Sequence, residues 1–425
     1  MNNAHLHFHR NAALVALVMF LVLRVASSLA AGIPGLADHP LACPTSIPCD
    51  QQVLNDLAGR GQWAGFFLAP WYRWDTVHYL TIAQSGYHGH EIETVWPPLY
   101  PLLVRFVAFV FRPPLLAALI VSNLATLVAF YLLYVAVTRR WGEHTGLQAT
   151  ILMGAFPTAF FLLAGYSESL FLALSLGSLL AAGVFSPPPT EPSQQDEGAG
   201  DREGLLISAG PRWALAGLLA ALATLTRLQG VFLALPLLWQ GYRTWHQGPN
   251  RADWRETIPP FLGASLAPLA FCAYAAAVHF GLGYDWPWVT LSKNWTQFTA
   301  PPWTGLFTNW SVLAGAPLPQ GFNRIALGFD LASAVLAIVL LSWGARDLPV
   351  ALSLFAWPLL LSMLMKVQRP SVLVSVSRYT LSIFPLFITL AQKLRGWVPT
   401  VAWAVLSFAC QLYLVGRFTS WLWVA

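Results

Sequence analysis

Apolar runs of about twenty residues recur along the whole chain, and each is long enough to cross a hydrocarbon core about 30 Å thick. The 425 residues are 56% hydrophobic and only 10% charged, with a mean hydropathy of +0.57. Soluble domains are apolar over only about 45–50% of their residues. The chain is therefore predicted to be an all-α polytopic membrane protein, and a soluble enzyme is ruled out.

Ten apolar runs predict a fold with about eleven transmembrane helices. The runs cover residues 12–33, 115–138, 147–164, 167–185, 213–240, 258–281, 324–343, 348–366, 378–392 and 398–416. The run 213–240 counts as two short passes, because an arginine, a glutamine and a glycine interrupt it at 226–230, as in the broken helices that line binding cavities. Residues 95–111 are apolar but contain three prolines and an arginine, which predicts a juxtamembrane or re-entrant segment.

The distribution of lysine and arginine predicts the orientation of these spans, since basic residues favour cytoplasmic loops. It places residues 34–114 outside as a large first extracytoplasmic loop, and residues 282–322 outside as a second one. Residues 186–212 are rich in proline, serine, glycine and acids, which predicts a disordered cytoplasmic insertion. The whole chain, residues 1–425, is predicted to form a single transmembrane domain that includes these segments.

Charge and cysteine content exclude several kinds of partner. The chain has 23 Lys and Arg against 18 Asp and Glu, spread over short loops without a long basic run. Membrane lipids are therefore expected partners and nucleic acid is not. No paired Cys-x-x-Cys spacing occurs, and no metal site is predicted. Cys43 and Cys49 share one loop, where a local disulfide and two unpaired thiols are equally open alternatives.

The first outer loop concentrates titratable and aromatic residues around Trp74 and Asp75. A carboxylate held at a membrane surface and partly desolvated by aromatic rings can act as general base for a hydroxyl nucleophile. The alternative is an interfacial loop with aromatic anchors and solvated acids. The residues of this loop alone favour the second interpretation.

Four short motifs occur in an order that resembles the PIG-V-like mannosyltransferases of the GT-C superfamily. They are Trp74-Asp75 followed by Gly86-Tyr87, Glu91 or Glu93 and Pro98-Leu99-Tyr100-Pro101; Phe156-Pro157-Thr158 followed by Tyr166-Ser167-Glu168; Thr226-Arg227-Leu228-Gln229-Gly230; and Ser377-Arg378-Tyr379 followed by Phe384-Pro385. The matches span residues 74–387, and their order and spacing carry the resemblance.

The resemblance implies a GT-C-like fold and an inverting transfer of mannose. The donor is then a polyprenyl-phosphate-linked mannose, the acceptor a hydroxyl, and the reaction takes place on the non-cytoplasmic membrane face. Asp75 is the expected catalytic base. Arg227 and Arg378 are expected to bind the donor phosphate, since a guanidinium can bind phosphate oxygens bidentately. No cofactor is expected beyond the lipid-linked donor itself.

Further substrate-binding candidates come from the same motifs. They are Trp74, Glu91, Glu93, Tyr166, Glu168 and Tyr379. Glu168 either pairs with an arginine or binds sugar hydroxyls, or it is a water-exposed turn residue. For Arg227 the alternative to phosphate binding is snorkelling to the interface.

A secondary transporter or lipid flippase is the alternative function, since such proteins also have broken helices and buried charges. No repeated halves appear in the hydropathy pattern, which favours the transferase. A third alternative is an inactive scaffold with the transferase fold. The acceptor is left open by the sequence, and the compartment depends on the source: the plasma membrane in a prokaryote, the endoplasmic reticulum in a eukaryote.

Overall fold

The computed structural model describes residues 3–32, 43, 49–187, 209–247 and 254–424, and its regular structure is almost entirely helical. The helices are α1 (Asn3–Gly32), α2 (Gln51–Gly59), α3 (Gln62–Phe67), α4 (Asp75–Ser85), α5 (Leu99–Ala108), α6 (Pro114–Trp141), α7 (Glu143–Gly154), α8 (Glu168–Ala181), α9 (Ala209–Thr226), α10 (Ala234–Gln247), α11 (Trp254–Ala276), α12 (Pro287–Trp295), α13 (Thr304–Leu313), α14 (Arg324–Gly344), α15 (Val350–Leu364), α16 (Val376–Tyr379), α17 (Pro385–Lys393) and α18 (Trp397–Thr419). The strands are β1 (Gln297–Thr299), β2 (Lys366–Gln368) and β3 (Val372–Leu373).

Among the described residues, five helices are long and apolar enough to cross a membrane. They are His7–Gly32, Pro114–Trp141, Thr257–Gly281, Arg324–Gly344 and Trp397–Thr419. Each coincides with a predicted run. The other apolar helices are shorter, so the count of about eleven spans stays a prediction. Helix α5 has 10 residues and is about 15 Å long, too short to cross alone.

Two predicted spans are interrupted, and in this respect the prediction is wrong. The run 147–164 is the end of α7 followed by irregular chain and a short 3₁₀ helix, Ala159–Leu162. The run 378–392 is split between α16 and α17. A proline stands at each interruption, Pro157 and Pro385, and a proline in a helix interior removes a backbone hydrogen bond and clashes with the preceding turn. The two interrupted segments are in contact, since the Thr158 hydroxyl donates to the backbone carbonyl of Ser377 at 2.8 Å.

The predicted break in the run 213–240 is confirmed. Helix α9 ends at Thr226, Arg227 is extended with φ −150° and ψ 130°, and a 3₁₀ helix over Leu228–Leu233 leads into α10. The chain packs back on itself so closely that a Cβ added at Gly230 would lie 2.3 Å from the backbone nitrogen of Thr224. Glycine is therefore needed at this position to let the break form.

Gly230→Ala is expected to destabilise the protein by about 1–3 kcal/mol, the usual cost of forcing extra volume into a packed site. The melting temperature of the detergent-solubilised protein should fall accordingly. Gly210→Ala is the matched control, because a Cβ at Gly210 in α9 meets no atom within 4 Å. Equal melting temperatures for the two variants would contradict the close approach at Gly230.

The first predicted loop is largely folded. Its described part, residue 43 and residues 49–114, contains helices α2 to α5. Cys43 and Cys49 form a disulfide, so the first of the two alternatives for these cysteines is confirmed. Tyr100 is fully buried and its hydroxyl lies 2.8 Å from Ser122 Oγ in α6, which fixes the loop to the helices beneath it. Of the predicted insertion 186–212, residues 188–208 lie outside the described residues, and α9 begins at Ala209.

A small antiparallel sheet in the order β1-β2-β3 joins the second predicted loop to the chain after α15. Thr299 of β1 pairs with Lys366 of β2, and Val367 pairs with Leu373 of β3. The main core lies among α6, α8, α9 and α11, which pack against one another. Residues of this sheet, of the break after α9 and of α16 come together around one cavity.

Candidate functional site

Three helix interruptions bring three charged side chains into contact. Glu168 begins α8, Arg227 lies in the break between α9 and α10, and Arg378 lies in the short helix α16. Glu168 Oε1 accepts from Arg378 Nε at 2.5 Å and contacts Arg227 Nη1 at 2.6 Å. The Glu168 side chain is fully buried. Of the alternatives for Glu168, pairing with arginine is the one observed, and the exposed-turn interpretation is wrong.

The alternative that Arg227 snorkels to the membrane interface is wrong. Its side chain is only 10% exposed and is paired with Glu168, so it does not snorkel to an interface. A second hydrogen bond of 3.5 Å joins Arg227 Nη1 to Ser167 Oγ. Because a buried charge without a partner is strongly unfavourable, the pairing accounts for the presence of an arginine within an apolar run.

Asp75 joins this group from the first loop. Its carboxylate Oδ2 accepts from Arg378 Nη2 at 2.6 Å, and its side chain stays 19% exposed. The backbone N–H of Asp75 donates to the Tyr166 hydroxyl at 3.2 Å. Asp75 is the first residue of α4, where the helix dipole favours a negative charge. Trp74, just before it, has φ +53°, a left-handed conformation that is uncommon for a bulky residue.

The electrostatics around Asp75 favour its ionised form. Burial by itself raises the pKa of the Asp75 carboxyl, but Arg378, then His78 and Arg227, outweigh this effect and hold the pKa below its usual value. In the described part of the chain, Arg378 is the only side chain that hydrogen-bonds the Asp75 carboxylate. One oxygen of an ionised carboxylate therefore remains available as an acceptor.

Aromatic rings enclose the two guanidinium groups. The Arg378 guanidinium carbon lies 4.7 Å from the ring centroid of Tyr166 and 5.1 Å from that of Tyr379, and the Arg227 carbon lies 4.7 Å from the Tyr379 ring. Cations over aromatic faces within about 6 Å are attracted to them. Tyr166 is fully buried, so its contacts here are with the protein. Tyr379 also faces a cavity.

Asp330 holds the segment that carries Arg378. It is buried in α14, and its Oδ1 accepts from the backbone N–H of Ser377 at 2.8 Å and from the Ser377 hydroxyl at 2.7 Å. Sequence reasoning missed Asp330, although an acid within the apolar run 324–343 was a signal, because intramembrane charges are rare and usually functional.

A cavity of about 170 Å³ opens beside these charges. Its lining includes Asp75, Tyr79, Trp96, Arg227, Trp295, Gln297, Lys366, Gln368, Arg378, Tyr379 and Trp423. Of the carboxylate and guanidinium contacts described above, the one between Asp75 and Arg378 therefore has both partners in the wall of a space large enough for a small polar group. Sequence reasoning missed Lys366, which stands at the end of the run 348–366, where a lysine is ordinarily an interfacial residue.

Of the six predicted substrate-binding residues, only Tyr379 lines the cavity. Tyr166 and Glu168 instead contact the Arg378 guanidinium, and the other three have different partners. Glu93 is buried and its carboxylate contacts His78 Nδ1 at 3.0 Å, and Glu91 Oε1 accepts from the backbone N–H of Asp285 at 3.1 Å. The Trp74 ring packs edge-to-face against Trp423, which itself lines the cavity, with ring centroids 5.1 Å apart. In this structure Trp74, Glu91 and Glu93 do not line the cavity.

The described residues contain no group of three or more His, Cys, Asp or Glu side chains placed to hold a metal ion. The site residues that come together are Asp75, Tyr166, Glu168, Arg227, Arg378 and Tyr379. This arrangement places an ionised carboxylate and several cations around one small space. It is suited to accept a proton from a hydroxyl and to bind an anion.

Comparison with known proteins supports the resemblance. Residues 50–184 match the family described as Mannosyltransferase (PIG-V). GPI mannosyltransferase 2 of Schizosaccharomyces pombe is 30% identical over 115 residues, which are 26% of this chain and 24% of that protein. The matched part thus spans about a quarter of the length of this curated relative. The resemblance to PIG-V-like mannosyltransferases is confirmed over the first loop and the helices that follow it.

Two solved structures of an archaeal oligosaccharyltransferase from Archaeoglobus fulgidus are also similar. The apo form gives a TM-score of 0.44 at 12% identity, covering 98% of this chain and 56% of that one. The complex with an inhibitory peptide and a dolichol-phosphate gives a TM-score of 0.44 at 11% identity, covering 99% and 56%.

Proposed function

We propose that this chain is an inverting membrane mannosyltransferase of GT-C type. It transfers mannose from a polyprenyl-phosphate-linked donor to an acceptor hydroxyl on the non-cytoplasmic face of the membrane. The observation that carries the proposal is the 2.6 Å contact at the wall of the cavity between Arg378 and Asp75, the second of which lies in the stretch that matches the mannosyltransferase family. The contact joins a proton acceptor to a cationic group beside the same small space.

The proposed reaction needs one proton acceptor and one stabilised leaving group. The Asp75 carboxylate takes the proton of the acceptor hydroxyl as the oxygen attacks the anomeric carbon of mannose. The bond between that carbon and the phosphate oxygen breaks, and the lipid phosphate leaves with the electron pair. Attack from the face opposite the leaving group inverts the configuration at the anomeric carbon.

Arg378 has two tasks in this scheme. It orients Asp75 through the 2.6 Å contact, and with Arg227 it provides positive charge at the cavity wall. Fixed cations aimed at a developing negative charge stabilise the transition state more in a water-poor site than in bulk water. Glu168 holds the guanidinium groups of Arg227 and Arg378 in place through its contacts with both.

The membrane setting fits a lipid-linked donor. Five described helices are long and apolar enough to cross a membrane, and the prenyl chain of the donor would lie among them. The Cys43–Cys49 disulfide supports an oxidising, non-cytoplasmic side for the first loop. We place the protein in the plasma membrane of a prokaryote or the endoplasmic reticulum of a eukaryote. The family match gives no support to the transporter or flippase alternative.

The stereochemistry of the product tests this reaction directly. Purified protein is given a polyprenyl-phosphate-mannose of defined anomeric configuration and a membrane extract that contains acceptors, and the linkage of the mannosylated product is determined by specific mannosidases. We expect the opposite anomeric configuration in the product. Retention of configuration, or equal use of a nucleotide-linked mannose, would contradict the proposal.

A further inference from the structure

Positive charges outnumber negative charges around the cavity. Three cationic side chains, Arg227, Lys366 and Arg378, line it, and two carboxylates, Asp75 and Glu168, contact them. Both guanidinium groups already have a carboxylate within 2.6 Å. His78 and Glu93 of the first loop pair with each other. The unbalanced charge of the site is therefore located on Lys366.

The surroundings of Lys366 show that this charge is not satisfied within the protein. Among the residues that the structure describes, none forms an ion pair or a hydrogen bond with the Lys366 ammonium group. Its Nζ lies 5.9 Å from the ring centroid of Tyr379, the ring that the Arg227 guanidinium also covers. Burial lowers the pKa of Lys366; Tyr379 opposes this effect, and Arg227 and Arg378 add to it. A bound anion would offset these unfavourable effects.

The small sheet fixes the position of this lysine. Lys366 is the first residue of β2, and its pairing with Thr299 of β1 anchors it to the second predicted loop. Gln297 and Gln368, which pair with each other in the same sheet, also line the cavity. A cation on a paired strand, beside two amide side chains, is a preorganised site for an oxyanion.

From this geometry we infer that Lys366 is the principal phosphate-binding residue of the cavity and that its ligand is the phosphate of a polyprenyl-phosphate donor. The inference rests on the proposed function. A sugar phosphodiester carries one negative charge, which matches the one unbalanced cation of the site. When the sugar is transferred, the departing phosphate gains negative charge, and the ammonium of Lys366 lies where that charge develops.

The test is equilibrium binding of a radiolabelled short-chain polyprenyl phosphate to purified, detergent-solubilised protein, because binding does not depend on turnover. We expect Lys366→Gln to weaken binding by about 10- to 100-fold, the effect of losing one hydrogen bond between charged groups. Lys366→Arg keeps the positive charge and should retain more of the binding than Lys366→Gln, although the geometry of the two cationic groups differs. Lys393→Gln is the matched control, since Lys393 pairs with the exposed Asp347 and does not line the cavity.

Competition distinguishes the source of the phosphate. Inorganic phosphate and the uncharged polyprenol are each added against the labelled lipid, and only the lipid phosphate should bind tightly. Stronger competition by inorganic phosphate than by the lipid phosphate would overturn the inference of a lipid-linked ligand. Equal losses in the Gln and Arg variants, or wild-type binding by Lys366→Gln, would overturn the role of the lysine charge.

The same proteins are assayed for mannose transfer, which separates the two proposals. Wild-type transfer together with unchanged donor affinity in Lys366→Gln would refute the lysine role and leave the proposed function intact. Binding of the lipid phosphate that depends on Lys366, without transfer of mannose by the wild type, would support the phosphate site and contradict the proposed function.

Discussion

We expect Asp75→Asn to lower the turnover of mannose transfer by about 10²- to 10⁴-fold, the contribution usually made by a positioned general base. The substitution keeps the size of the side chain and an oxygen that can accept from Arg378, but it removes the group that takes the proton. Asp75 is ionised at neutral pH, since nearby cations hold the pKa of its carboxyl below the usual value. The loss should therefore appear in kcat, with the affinity for the donor lipid phosphate little changed.

The matched control for this variant is Asp347→Asn. Asp347 is also paired with a cation, Lys393 at 2.6 Å, but its side chain is 45% exposed and it does not line the cavity. Its turnover should equal that of the wild type. Near-normal turnover in Asp75→Asn, at matched expression and with an unchanged elution profile, would remove Asp75 from the reaction.

Glu168→Ala is expected to destabilise the folded protein by about 3–5 kcal/mol, the usual effect of removing one partner from a buried ion pair. The Glu168 side chain is fully buried and contacts both Arg227 and Arg378. Without it, two guanidinium groups face each other in a site from which water is largely excluded. The loss should be measured as the change in the free energy of unfolding when the protein is titrated with a denaturing detergent.

Two further variants make the Glu168 prediction specific. Glu143→Ala changes an exposed glutamate in the first turn of α7 and should cost less than about 1 kcal/mol, as expected for a charge near a helix N-terminus. The double variant Glu168→Ala, Arg227→Ala should be more stable than Glu168→Ala alone, because it also removes the guanidinium that has lost its carboxylate partner, whereas Arg378 keeps Asp75. If the loss of stability of the double variant, relative to the wild type, equals the sum of the losses of Glu168→Ala and Arg227→Ala, the two side chains do not act as a pair.

Polar interruptions in apolar runs were the most informative part of the sequence. Thr226-Arg227-Leu228-Gln229-Gly230 predicted a helix break, and the break lies at that position because Gly230 permits a close backbone approach. The interruptions at Pro157 and Pro385 carry the same signal. They were missed because the flanking residues are apolar enough to fill a membrane span by hydropathy alone.

Contacts between residues that are far apart in the sequence could not be predicted from the sequence. Asp75 and Arg378 are 303 residues apart, and no local pattern fixes which carboxylate meets which guanidinium. Glu91, Glu93 and Trp74 belong to the same motif as Asp75, yet their side chains turn toward other partners. Lys366 and Asp330 were overlooked because each is a single charge in an apolar run, and only the fold shows which such charges face the site.

The most direct measurement of the proposed function is transfer of radiolabelled mannose from polyprenyl-phosphate-mannose into an acceptor extract, in membranes that contain the protein and in matched membranes that lack it. We expect label to enter a lipid or polymer fraction only when the protein is present, and to be lost in Asp75→Asn but not in Asp347→Asn. Absence of label with a donor that a known lipid-dependent mannosyltransferase uses in the same extract would contradict the assignment of this chain as a mannosyltransferase.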